Sequence, residues 1–292
     1  MRKDLVDALT AASGAPGTSL AQMALLIARI EYPRLDPAPY LSRLDALGEE
    51  ARLHIEKDVD RTGDTRTSSR IASLNAYLFD QQGFVGNRDK YEDPRNSCLN
   101  EVLDRRTGIP ITLSLVYMEV AKRAGLEIEG VNFPGHFLVR CLEGGGGAPG
   151  GLIIDPFHAG ALLNERKCRI LLEKHVGSEM AFNRTLLEPA KPAQIVVRML
   201  LNLKRIYVHM RSFPQARDIT EVLLALNPSA LNEVRDRGLL AYHLNDLSAA
   251  LQDLQTYLKL SGMGEVDDET KEERKQIWEQ VKTLRRRLSG LN

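Results

Sequence analysis

The chain has 292 residues, 43% hydrophobic and 27% charged, which suits a soluble globular protein of one large domain or two ordinary ones. Lys and Arg total 39 and so do Asp and Glu; the formal charge is zero, no global field holds a polyanion, and nucleic acid is not expected as a partner. The three cysteines, Cys98, Cys141 and Cys168, are too few for a disulfide framework and fit no zinc spacing, which points to a reducing compartment.

The N-terminal MRKDLVDALTAASGAPG has an acid in its short apolar stretch and lacks the hydrophobic region of a signal peptide. No run reaches the ~18–20 apolar residues of a membrane span, because Glu119 and Arg198 interrupt the best candidates. A cytoplasmic location without membrane contact is the expectation. Residues 1–90 read as a helical N-terminal region packing on a core, with turn signals at Gly14–Gly17 and Pro33–Pro39. LAQMALLIARI, after Ser19, is apolar on most sides and predicts a well-buried helix. Tyr40, Leu41, Leu44, Leu47, Leu53 and Ile55 recur near helical spacing and predict an amphipathic one.

Near Asn96 the character changes. LNEVLDRR predicts a short helix, broken at Gly108-Ile109-Pro110; Pro110 suits the first turn of the next helix, where its missing N–H costs nothing. Ile111, Leu115, Met118 and Ala121 line that helix, and Gly125 closes it. IEGVNF, HFLVRCL and GLIIDPF then predict three strands, with EGGGGAPGG as a flexible loop between the last two; its glycines lack phosphate-binding spacing. From Pro192 the chain returns to helix. Ala216 and Ala250 lie 34 residues apart, the period of a tetratricopeptide repeat, with Leu200, Leu203 and Tyr207 before the first and Gly238, Leu239 and Leu240 before the second. A last helix carries Ile277, Val281, Leu284 and Leu288 on one stripe and runs from acidic to basic, as its dipole favours.

One constellation could carry chemistry. His136 opens a strand after Pro134-Gly135, and Asp155-Pro156 ends the next. An Asp that fixes an imidazole tautomer and a His that takes a proton are two parts of a triad. The third would be a thiol at a helix N-terminus, where the dipole lowers its pKa. Cys98 is the candidate; Cys141 and Cys168 read as core. Asn96, Asn100 and Glu101, ahead of the break, with Pro110, Thr112 and Ser114 on the helix, are candidate lining for the same cleft. His136, Asp155 and His158 together offer mixed N and O ligands, but no second close ligand pair supports a metal, and none is expected; nor is any other cofactor.

GIPITLSLVYMEVAKRAGLEIEGVNFPGHFLVR…LIIDPF resembles a papain-like transglutaminase core, and over roughly residues 20–265 the chain resembles the SirB-type bacterial family, a transglutaminase-like core fused to tetratricopeptide (TPR) helices. The further pieces that carry the likeness are NSCLNEVLDRRTG, RMLLNLKRIY and RDRGLL…AALQDLQTYL. The resemblance implies an α+β fold: a helical N-terminal region (1–90), a core helix with a small antiparallel sheet (91–190), and all-α TPR-like helices (192–292). It assigns His136 and Asp155 to the triad's His and Asp and puts the nucleophile near residue 110, where this sequence has Pro110. A broken triad implies a non-catalytic regulatory or adaptor protein that meets a protein or peptide partner through its cleft and TPR surface. The alternatives are a thiol acyltransferase or hydrolase using Cys98, His136 and Asp155, and C-terminal helices that only cover the core.

Overall fold

A computed structural model describes residues 3–14, 18–142, 151–177, 180–262 and 268–289. Residues 15–17 of the first turn signal and 143–150 of the Gly-rich loop lie outside it. The chain divides into two compact units, Pro16–Met199 and Met1–Ala15 with Leu200–Asn292. Residues 16–90 thus share a unit with 91–190, and the first helix joins the C-terminal helices. The fold is α+β.

In the larger unit, helix α2 (Leu20–Ala28) starts on a reciprocal cap. The Ser19 Oγ accepts from the Gln22 N–H at 3.1 Å, and the Ser19 N–H donates to the Gln22 side chain at 2.8 Å. Most of its side chains are buried, as its uniformly apolar sequence predicts. Helix α3 (Ala38–Thr62) exposes its charged face and ends on Gly63, whose φ of 68° suits a left-handed cap. Helix α4 (Thr67–Asn75) runs into a π-helical turn, Ala76–Gln81. A short parallel pair, β1 (Val85–Gly86) and β2 (Thr107–Gly108), brackets the 3₁₀ turn Pro94–Ser97 and helix α5 (Leu99–Arg105).

The centre of this unit is helix α6 (Pro110–Arg123), with Pro110 in its first turn and every residue from Pro110 to Ala121 buried. One of those is Glu119, 7% exposed. Its carboxylate accepts from Arg123 at 2.5 Å and from the Ala21 N–H at 3.1 Å, so it is neutralised on its own helix and supplies an anion to the open N-terminus of α2. Arg123 also bonds Asp45 at 2.7 Å. Helix α3 crosses α6 at Gly48, where a Cβ would lie 2.2 Å from the Arg123 Cβ; only hydrogen fits.

The sheet is a four-stranded antiparallel meander, β3 (Ile128–Val131), β4 (Leu138–Cys141), β5 (Leu152–Asp155) and β6 (Ala161–Leu163). Its register pairs Val131 with Leu138, Val139 with Ile154 and Asp155 with Ala161. The first three strands agree with the sequence reading; β6 is three residues long and shows no usable alternation. Helix α6 packs on β3 and β4. Helix α7 (Glu165–Val176) buries Cys168 and Leu172 against Val131, Phe133, Leu138 and Ile153.

The unit boundary falls within helix α8 (Pro192–His209), which is followed by α9 (Phe213–Leu226), α10 (Leu231–His243), α11 (Leu247–Leu260) and α12 (Asp268–Ser289). Helix α1 (Lys3–Gly14) packs against α9 and buries Leu5 and Leu9. Ala216 and Ala250 are both fully buried, and at Gly238 a Cβ would stand 2.9 Å from Leu254, so small residues let α10 and α11 close. Ile277, Val281 and Leu284 of α12 join Ala250, Leu254 and Tyr257 in one core cluster. Bidentate Arg237–Asp253 bonds of 2.7 and 2.8 Å tie α10 to α11. Lys204 on α8 bonds Glu233 and Asp236 at 2.7 and 2.8 Å. Among the described residues no helix is long and apolar enough to cross a membrane.

Candidate functional site

His136 sits at the entry to β4, held by a turn in which its N–H donates to the Phe133 carbonyl at 3.1 Å. Gly135 has φ of 69°, and a Cβ there would meet the His175 Cβ at 2.5 Å; glycine is needed for both the backbone and the space. Asp155 ends β5 and caps the 3₁₀ turn Pro156–His158, accepting from the Phe157 N–H at 3.1 Å. The hairpin register brings these two residues together.

His136 Nε2 lies 3.0 Å from both Asp155 oxygens, and each side chain is 2% exposed. His158 Nδ1 lies 2.7 Å from Asp155 Oδ2. Burial works to raise the Asp155 pKa; the hydrogen bonds and charges of His136 and His158 outweigh it and hold the carboxyl below its ordinary value. An ionised carboxylate only accepts, so His136 donates from Nε2 and His158 from Nδ1. When neutral, His136 therefore keeps its lone pair on Nδ1. That is the form of a general base oriented by an acid.

Two aromatic neighbours complete the setting. The Phe157 ring meets His136 edge-on at 5.9 Å, and the His175 ring, from the last turn of α7, stacks on it at 5.3 Å. The His175 pKa is lowered by burial, then by His136 and Lys174. The sequence reading missed His175. It lies 39 positions beyond His136 with no motif to link them, and only the tight Pro134-Gly135 turn hinted that something approaches there.

The structure also brings His136, Asp155 and His158 within metal-binding reach, one ligand atom of each lying within 4.8 Å of the others. The lack of a second close ligand pair is the ground on which the sequence sets a metal aside; the hairpin adds His136 to the Asp155–His158 pair. The same atoms already satisfy one another as hydrogen-bond partners.

The other candidates stand apart from this cluster in their bonding. Asn96 is fully buried and donates to the Lys90 carbonyl at 2.7 Å while accepting from Arg105 at 2.6 Å. The Thr112 Oγ1 accepts from the Ile109 N–H at 3.1 Å and donates to the Asn96 carbonyl at 2.7 Å, which fastens the first turn of α6 to the preceding segment. Glu101 is bonded by the Tyr32 hydroxyl and pairs with Arg105 at 3.5 Å. Ser114 Oγ and Asn100 Oδ1 are buried and have no hydrogen-bond partner among the described residues. Pro110 is buried and offers no nucleophile.

Cys98, Cys141 and Cys168 are all buried and none is in a disulfide. Burial and the Glu31 and Glu101 carboxylates push Cys98 up to about 12, with Arg105 opposing them. Cys168 is pushed up to about 11 by burial, Glu165 and Asp155, so the site's own carboxylate opposes a thiolate there.

Residues 38–201 match the model of the transglutaminase-like superfamily, and residues 203–284 match a tetratricopeptide-repeat model. The class is thus a transglutaminase-like core joined to TPR helices. A UPF0162 protein of Xylella fastidiosa is 39% identical over 82% of this chain and 83% of its own, and Protein SirB1 of Salmonella typhimurium is 26% identical over 79% and 81%. Human F-box only protein 21 is 34% identical over 61% of this chain but only 28% of its own. The chain belongs to the SirB-type bacterial family of transglutaminase-like proteins. No solved structure matches it.

Proposed function

We propose that the protein is a non-catalytic adaptor of the cytoplasm, in which the His136–Asp155 cleft holds a peptide segment or small ligand without transforming it and the TPR helices dock a protein partner. The observation that carries this reading is the setting of the thiols: an oriented imidazole is present, yet Cys98 lies among carboxylates and Cys168 faces the repulsion of Asp155. Pro110 occupies the position at which the family resemblance puts the nucleophile. Without a thiolate, the His–Asp pair has nothing to activate for acyl transfer. Repeat helices present extended surfaces suited to protein partners, and the recurrence of a related segment as a minor part of the longer F-box only protein 21 supports a module that combines with other segments.

The test is turnover of activated ester and thioester substrates by the full chain. The reading predicts rates equal to those of the His136→Ala variant and no covalent acyl adduct by mass spectrometry. An adduct on any cysteine, lost in His136→Ala, would replace the adaptor with an acyl-transfer enzyme.

A further inference from the structure

A second site lies far along the chain from His136, between α11 and α12. It is a cleft of about 620 Å³ whose lining includes Lys259, Lys271, Arg274, Lys275 and Arg285, together with Trp278. Among the described residues, five cations and no carboxylate line it, in a protein whose formal charge sums to zero. Lys271, Lys275, Trp278 and Arg285 are spaced by 4, 3 and 7 residues and share one face of α12, beside the stripe of Ile277, Val281 and Leu284 that packs into the core. Trp278 is the chain's single tryptophan and is 45% exposed, with the Arg285 guanidinium 5.8 Å from its ring centre. Arg274 is fixed by bonds to the Leu258 carbonyl at 2.9 Å and the Ser261 Oγ at 2.5 Å. The pairs Lys271–Asp268 and Lys275–Glu272 are exposed to solvent and leave most of the positive field in place.

We propose that this cleft binds an acidic peptide segment of a partner protein, with one apolar side chain of that segment on the face of Trp278. The proposal rests on the adaptor reading and gives its partner a chemistry. The 14 helical rises from Lys271 to Arg285 span about 21 Å, which an extended peptide covers with about six residues at about 3.3 Å each. A strand of carboxylates around a single apolar group matches cations that flank an indole. A uniformly charged polyanion would leave the indole unused.

Trp278 is its own reporter. The full-length protein is titrated with a synthetic octapeptide of five acidic residues around one leucine, and with the same peptide bearing Gln and Asn in place of Glu and Asp. The expected result is a saturable change in tryptophan emission with the acidic peptide alone. Binding should weaken about tenfold in a Lys271→Glu, Lys275→Glu double variant whose circular dichroism is unchanged, and should weaken as salt rises through the Debye regime. Trp278→Phe, followed by anisotropy of a labelled peptide, should weaken binding without abolishing it. No saturable change, equal binding of the neutral peptide, unaltered binding by the double variant, or tighter binding of a single-stranded oligonucleotide than of the acidic peptide would each overturn the proposal. None of these outcomes bears on thiol chemistry, so the non-catalytic reading stands or falls separately.

Discussion

His136 Nε2 is equidistant, at 3.0 Å, from the two carboxylate oxygens of Asp155. The pair is closed to solvent on both sides, so its strength is that of a buried, charge-assisted bond, about twice that of a neutral one. It joins the start of β4 to the end of β5 and locks the imidazole in one tautomer.

Acid should undo this joint. The folded pKa of Asp155 is depressed from the roughly 3.9 of an unfolded Asp. Its contribution is therefore complete above that value and is lost as pH falls through the folded pKa. Urea midpoints should drop below about pH 4 in the wild type. Asp155→Asn should lose about 2 kcal/mol at pH 7 and show a shallower fall in acid; parallel curves for the two proteins would contradict this account.

His175 adds a second pH dependence at higher pH. Its pKa is lowered by burial, then by His136 and Lys174, while Asp155 opposes them. The unfolded chain then takes up the proton first, and stability declines as pH falls through about 6.5 toward the folded value. Thermal midpoints of His175→Gln between pH 7.5 and 5 should decline less than those of the wild type.

The crossing of α3 on α6 depends on a missing Cβ. Arg123 cannot move aside, since its guanidinium is committed to Asp45 and Glu119. Gly48→Ala should cost about 1–3 kcal/mol through overpacking. Gly63→Ala has nothing within 4 Å and meets only the backbone penalty of a φ of 68°; its loss should be about 1 kcal/mol. Denaturant titration of the two variants separates steric from conformational cost.

Glu119 provides the link between α6 and α2. Glu119→Ala strips the Ala21 N–H of its acceptor and removes one of two carboxylates from Arg123, and should cost about 3 kcal/mol. Glu119→Gln keeps one acceptor oxygen, enough for the Ala21 N–H, and should cost less. Equal losses would mean that packing, not the bonds, sets the effect.

Features governed by local chemistry were legible in the sequence. Pro110 starting α6, the buried helix after Ser19, the three longer strands and the 34-residue spacing of Ala216 and Ala250 follow from turn chemistry and periodicity. His136 and Asp155 could be paired because the resemblance supplies their order. What was hidden depends on contacts between distant segments. An amphipathic pattern shows that α1 has a face to bury but not that α9 covers it. His175 lies in a helix whose pattern accounts only for its packing on the sheet. Asn96 and Thr112 illustrate the converse: polar residues beside a helix start suggest a ligand cleft, and the structure commits them to holding that helix start in place.

The central claim is that no thiol in this protein is activated by His136. The most direct measurement is the alkylation rate of each cysteine against pH, in the wild type and in His136→Ala, read by peptide mass spectrometry. The account predicts slow reaction of Cys98, Cys141 and Cys168, rising only above the ~8.5 of a free thiol and the same in both proteins. A cysteine that reacts fast below pH 7 in the wild type and slowly in His136→Ala would contradict it.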